Sequence, residues 1–188
     1  SGSTITANKA KKIVLDNFEG TLTAANTNEH VEVELGNLKS AYNGGPKLEK
    51  ATITGVLLST LSTAVGPALD FTASAKLVSA TIAGEAGAID FNNNDNVETV
   101  VVSANAPSLD LRNSSSLVSA TISGDISGDV GFDASTALTT VVVSGDAGSI
   151  DLFGNTSLTS VSLTGATDYV RVEGATALTA LDLEHTSG

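Results

Sequence analysis

A short phrase returns along this chain about every 20 residues: an apolar anchor, two small or polar residues, a strand-like run, then glycine. The copies are LEKATITG from Leu48, LVSATIAG from Leu77, VETVVVSA from Val97, LVSATISG from Leu117, LTTVVVSG from Leu138, LTSVSLTG from Leu158 and LTALDLEH from Leu178. The last six anchors are spaced 20, 20, 21, 20 and 20 residues apart. A fixed period of this length marks a stacked repeat, in which one unit cannot bury its apolar side without the next. Function in such a chain moves from a single cleft to the long faces of the stack.

One unit shows how the stack is built. From Leu77, the residues Leu77, Ala80 and Ile82 point inward while Ser79, Thr81 and Ala83 point outward, the alternation of a strand with one buried face. Gly84, Glu85, Ala86 and Gly87 supply a turn. Ile89 and Phe91 then face inward around an outward Asp90, and Asn92 to Asn96 form a polar turn to the next anchor. Each coil thus carries two strands and two corners. The place of Ile82 is filled by Leu15, Leu35, Ile53, Ile82, Val102, Ile122, Val143, Leu163 and Leu183. That of Ile89 is filled by Leu22, Leu69, Ile89, Leu109, Val130, Ile150 and Val170, with Tyr42 standing where the second coil calls for Leu. The expected fold is an all-β, right-handed parallel β-solenoid of about nine 20-residue coils, with handedness assigned by analogy with parallel crossovers. At about 4.8 Å per coil, nine coils make a rod about 40 Å long.

The chain of 188 residues reads as one such domain. One coil breaks the period: the nine extra residues between Ile53 and Leu69 lie within 56–66, where Leu57, Leu58, Leu61 and Val65 fit the apolar face of a short helix. This segment is expected to be a lateral insertion. The phrase at Leu178 stops after its first strand, at Leu183 and Glu184, with no amphipathic helix behind it. Solenoid ends need covering, so we expect a piece of a longer protein or an end covered by another copy.

Composition narrows the function classes. A net charge of −12 opposes binding to nucleic acid, whose phosphates demand a basic stripe. No apolar run is long enough to span a membrane, and the absence of cysteine removes disulfides and thiolate chemistry. His30 and His185 lie near opposite ends, and no nucleophile elbow, metalloprotease helix or phosphate loop occurs. The chain is therefore read as a non-enzyme.

The anchor phrase, above all LTSVSLTG after Ser157, resembles the BspA-like leucine-rich repeats of bacterial surface antigens. Leu158, Val161, Leu163 and Val170 match that pattern, and the resemblance covers roughly residues 97–183. The coil here is shorter and lacks the family's Ala-Phe corner. The resemblance implies a secreted or surface-exposed adhesive or structural module, of the adhesin or S-layer kind.

Two faces are candidates for contact. The first strand presents small polar and β-branched side chains, represented by Thr52, Thr81, Thr121 and Ser162, as a flat binding face. Strand propensity alone accounts for such residues, and flat Thr/Ser arrays also resemble those of ice-binding proteins. The second strand presents Asp70, Asp90 and Asp110 in one column, followed by Gly131, Asp151 and Arg171. Clustered carboxylates suit Ca²⁺, with Asp95, Asp129 and Asp133 nearby as further ligands. On a solvated face the same column also discourages lateral aggregation. No other cofactor is expected.

The sequence thus points to a rigid extracellular, cell-surface rod that works by self-association, by docking other domains of the same protein, or by contact with cell-surface polysaccharide. An ice-binding module and a polysaccharide-active β-helix enzyme are the alternatives.

Overall fold

The computed structural model describes residues 3–6, 10–15, 20–23, 31–36, 42–54 and 69–184. The insertion at 56–66 and both histidines lie outside these residues. Among the described residues there is no helix, and the strands stack in parallel as a β-solenoid. A wide sheet of nine strands runs from Lys12–Leu15 to Ala180–Leu183. A narrow sheet of seven strands runs from Tyr42–Asn43 to Thr167–Arg171.

The repeat phrase forms the wide sheet. Leu15, Leu35, Ile53, Ile82, Val102, Ile122, Val143, Leu163 and Leu183 are register partners in unbroken succession. This sheet has nine strands, but the narrow sheet has seven, so the solenoid closes about seven turns and not the expected nine. The difference lies at the start of the chain. Leu22 does not join the narrow sheet: its strand, Gly20–Thr23, pairs with Ser3–Thr6 in a separate two-stranded sheet. The narrow sheet instead begins with Tyr42, in register with Leu69. Tyr42 fits the leucine place because its ring is buried and meets Phe71 at 6.0 Å between centroids. Phe71 in turn stacks on Phe91 at 4.7 Å.

The core is a set of apolar columns parallel to the rod axis. Leu48, Leu77, Val97, Leu117, Leu138 and Leu158 are all fully buried, as are Phe71, Phe91 and Phe132. Burying one such side chain contributes about 1.5–3 kcal/mol. Ile53 and Leu69, which flank residues 54–68 in the sequence, keep register with Ile82 and Ile89.

The coil has a third side that the two-strand reading omits. In the turn after the wide sheet, Glu85 bridges Asn105 and Ala106 bridges Ile126. Ile126 continues in register to Ala147, and Ala147 to Thr167. Ala106, Ile126 and Ala147 are buried there. Chain crossing at this corner is tight. A Cβ on Gly145 would meet the Gly124 carbonyl oxygen at 2.2 Å, and one on Gly165 would meet the Gly145 oxygen at 2.0 Å. Only glycine permits that approach.

Candidate functional site

The outward side of the wide sheet places Thr52, Thr81, Val101, Thr121, Val142 and Ser162 in one in-register column. Thr81 and Thr121 are exposed, and the other four are partly exposed. The four residues singled out from sequence therefore share one strip, with valines between them. A parallel column begins Lys50, Ser79, Thr99, Ser119, Thr140 and Ser160. From Ser79 to Ser162 the outward strand residues carry no charge. Beside them, Thr139, Thr159 and Thr179 donate their hydroxyls to carbonyls of the preceding coil, at 3.0, 3.0 and 3.1 Å. These bonds fix the edge of the strip.

Charge enters at the start of this face. Lys12 Nζ lies 2.7 Å from Glu34 and 3.4 Å from Glu32, and Lys50 Nζ lies 3.6 Å from Glu32. The Glu34 bond holds the Lys12 ammonium above its ordinary pKa, and Lys12 in turn holds Glu34 below its own.

The aspartate column is formed as expected. Asp70, Asp90 and Asp110 are successive register partners, and Gly131, Asp151 and Arg171 follow. Its local role is a turn that the sequence reading missed. Asp70, Asp90, Asp110 and Asp151 each accept the backbone N–H two residues ahead, at 2.9, 2.8, 3.0 and 2.9 Å. This is the Asx turn. Asp70 also accepts the Thr72 hydroxyl at 2.7 Å.

Two arginines lie along the same wall. Arg112 pairs with Asp110 through both Nε and Nη2, and its Nε stands 3.8 Å from Asp133. Its stem crosses the place where Gly131 lacks a side chain. A shallow cleft of about 270 Å³ opens there, lined by Asp110, Arg112, Asp129, Asp133 and Asp151 among others. Arg171 reaches Asp151 at 3.5 Å and lies 4.0 Å from the Phe153 ring centroid. Burial raises the Asp90 carboxyl, with Asp110 and Asp70 adding to it against the Asn92 N–H. Burial also works to raise Asp110, but the Arg112 bonds outweigh it and leave that carboxyl below its ordinary value.

Asp95 and Asp129, expected as extra cation ligands, accept the hydroxyls of Ser115 and Ser149 in the next coil, at 2.9 and 2.6 Å. Among the described residues, no three His, Cys, Asp or Glu side chains gather into a group that could hold a metal ion.

A polar column inside the wall was also missed. Ser74, Asn94, Ser114, Ser135 and Asn155 are buried. Asn94 donates to the Phe71 and Ser74 carbonyls, both at 3.1 Å, and accepts from the Val97 N–H at 3.2 Å. Ser135 accepts the Ser114 N–H at 3.1 Å and donates to the Leu111 carbonyl at 2.8 Å. A signal for this column is present in the sequence, because each member precedes an anchor by three residues.

Compared with known proteins, the chain matches no protein-family model, no curated protein and no solved structure.

Proposed function

We propose that this chain is a non-enzymatic structural or adhesive module of an extracellular, cell-surface protein, of the adhesin or surface-layer kind. It works as a rigid rod that attaches through its wide-sheet face. The observation that carries this reading is the uncharged, in-register strip from Ser79 to Ser162. Hydroxyls and methyl groups there repeat at about 4.8 Å. A repeating polymer can engage such a strip many times with weak contacts that add up. Cell-surface polysaccharide, itself hydroxyl-rich and repetitive, is the partner of matching chemistry. The resemblance of LTSVSLTG to surface-antigen repeats supports the same reading. Arg112 and Arg171, which a polysaccharide-active enzyme would need in its groove, are engaged by Asp110 and Asp151.

Cosedimentation with isolated cell-wall polysaccharide tests the proposal, using Thr81→Lys and Thr121→Lys to place charge on the strip. Binding that survives both substitutions unchanged would move adhesion off this face. The repeated threonines Thr52, Thr81 and Thr121 also favour ice binding as a second reading. Thermal hysteresis lost in the same two variants would support it, and no hysteresis at high protein concentration would end it.

A further inference from the structure

The copies of the repeat phrase are of two kinds that take turns. LVSATIAG from Leu77 returns almost unchanged as LVSATISG from Leu117, and VETVVVSA from Val97 returns as LTTVVVSG from Leu138. The building unit is therefore a pair of coils. The alternation reaches both sides of the wide sheet. Inward, Ala80, Val100, Ala120 and Val141 are successive register partners, and all are buried. Outward, Thr81, Val101, Thr121, Val142 and Ser162 set a hydroxyl-bearing residue and a valine by turns in one column.

Hydroxyls run unbroken on either side of this column. Ser79, Thr99, Ser119, Thr140 and Ser160 border it along one edge. Ser103, Ser123, Ser144 and Thr164 border it along the other; all four are exposed, and their backbone N–H groups continue the ladder to the preceding coil. Among the described residues, no hydroxyl of these three columns from Ser79 to Thr164 bonds to another protein group. The hydroxyls of Thr139 and Thr159, by contrast, are spent on carbonyls. Neighbouring columns lie about 6.6 Å apart along the strands, and like members of the middle column recur every second coil, at about 9.6 Å.

We infer that the strip takes a β-1,4-linked glycan of glucose or N-acetylglucosamine units, laid along the rod axis over the Thr81–Ser162 column. This rests on the polysaccharide reading above and names the linkage. In such a chain both bonds at each pyranose are equatorial, so the chain is a straight, flat ribbon in which each ring is turned over relative to the last. One side of the ribbon therefore presents the same groups only at every second ring. The middle column likewise offers the same groups only at every second coil. Valine packs against a C–H patch but leaves a hydroxyl above it unpaired, whereas threonine and serine bond one. The free hydroxyls on both sides meet the two edges of the ribbon. An α-1,4-linked chain curls through its axial bond and leaves the column within a few coils. The uncharged strip suits a neutral chain.

Isothermal titration calorimetry with three soluble hexamers tests this. Cellohexaose and chitohexaose are β-1,4-linked; maltohexaose has the glucose units of cellohexaose in α-1,4 linkage. The expected result is binding of at least one β-1,4 hexamer about tenfold or more tighter than that of maltohexaose. Cellohexaose ahead of chitohexaose would assign the source as a glucan, and the reverse order as a polymer built on N-acetylglucosamine. In the Val101→Thr, Val142→Thr variant the middle column carries hydroxyls throughout while β-branched side chains keep the strands. There the linkage preference is expected to shrink to about twofold or less. Maltohexaose bound as tightly as the others, or no hexamer bound, would overturn the inference, as would a preference unchanged in the variant. The hexamer comparison uses the unaltered chain, so it decides the matter if the variant does not fold. Cell-wall polysaccharide held by the unaltered chain and released by Thr81→Lys and Thr121→Lys, with no preference among the hexamers, would overturn the linkage alone and leave the proposed function standing.

Discussion

Asp90 and Asp110 are register partners in adjacent coils, and their carboxyls are driven in opposite directions. Asp90 is raised by burial and by the neighbouring carboxylates, while Asp110 is held down by Arg112. A raised carboxyl favours the fold below its unfolded pKa of about 4 and loses that contribution as pH rises. A depressed carboxyl contributes above that value and loses its contribution as pH falls through its folded pKa. Asp90→Asn keeps an oxygen for the Asn92 N–H and removes the charge. Thermal melts are expected to show Asp90→Asn with a higher midpoint than the parent at pH 7 and no gain at pH 3. Asp110→Asn is expected to be destabilised at pH 7. Equal shifts of the same sign in both variants would contradict this division.

Gly145 is held to glycine by packing. The carbonyl oxygen of Gly124 stands 2.2 Å from where its Cβ would be. Gly145→Ala must separate two coils at the corner, and we expect a loss of at least about 2 kcal/mol in denaturant unfolding. A loss below about 0.5 kcal/mol would show that the corner opens freely.

Ala134 sits at a corner with φ of 60°, in the place held by Asn93, Asn113, Gly154 and Gly174 elsewhere. Left-handed backbone suits Gly and Asn and strains alanine. Ala134→Gly is expected to stabilise by about 0.5–1 kcal/mol in the same assay, reversing the usual cost of glycine. Destabilisation would mean that the corner does not hold this conformation in solution.

In the Asp70–Asp90–Asp110 column the Oδ1 of each carboxylate accepts a turn amide, Asp70 Oδ1 also accepts the Thr72 hydroxyl, and Asp110 pairs with Arg112. Melting curves in Ca²⁺ and in chelator are therefore expected to superimpose. A midpoint raised by Ca²⁺ and lost in Asp90→Asn would place a cation in the column after all.

Much of this architecture was legible in the chain. A 20-residue period with apolar residues at fixed offsets placed all nine members of the Leu15–Leu183 column, because one register error would turn a strand inside out. Tyr42 was legible as standing in a leucine's place, but how its ring fills that place shows only in the Phe71 contact. Asn94 and Ser114 resisted because polar residues between strands read as solvated turns, whereas here they satisfy carbonyls inside the wall. The third side was obscured by its shortness: isolated bridges such as Glu85 to Asn105 and Ala106 to Ile126 carry no alternation to detect. Of the candidate faces, position was legible and use was not. Asp110 was readable as an outward carboxylate, but its partner Arg112 becomes visible only once Gly131 in the next coil leaves room for it.

The central claim is that the uncharged strip of the wide sheet is the contact surface of the rod. The most direct measurement is the affinity of the purified chain for isolated cell-wall polysaccharide, compared with a Thr81→Lys, Thr121→Lys variant of unchanged circular dichroism. Saturable binding that falls at least about tenfold in the variant, or about 1.4 kcal/mol, is the result expected. Binding of equal strength in both proteins, or none in either, would contradict the claim.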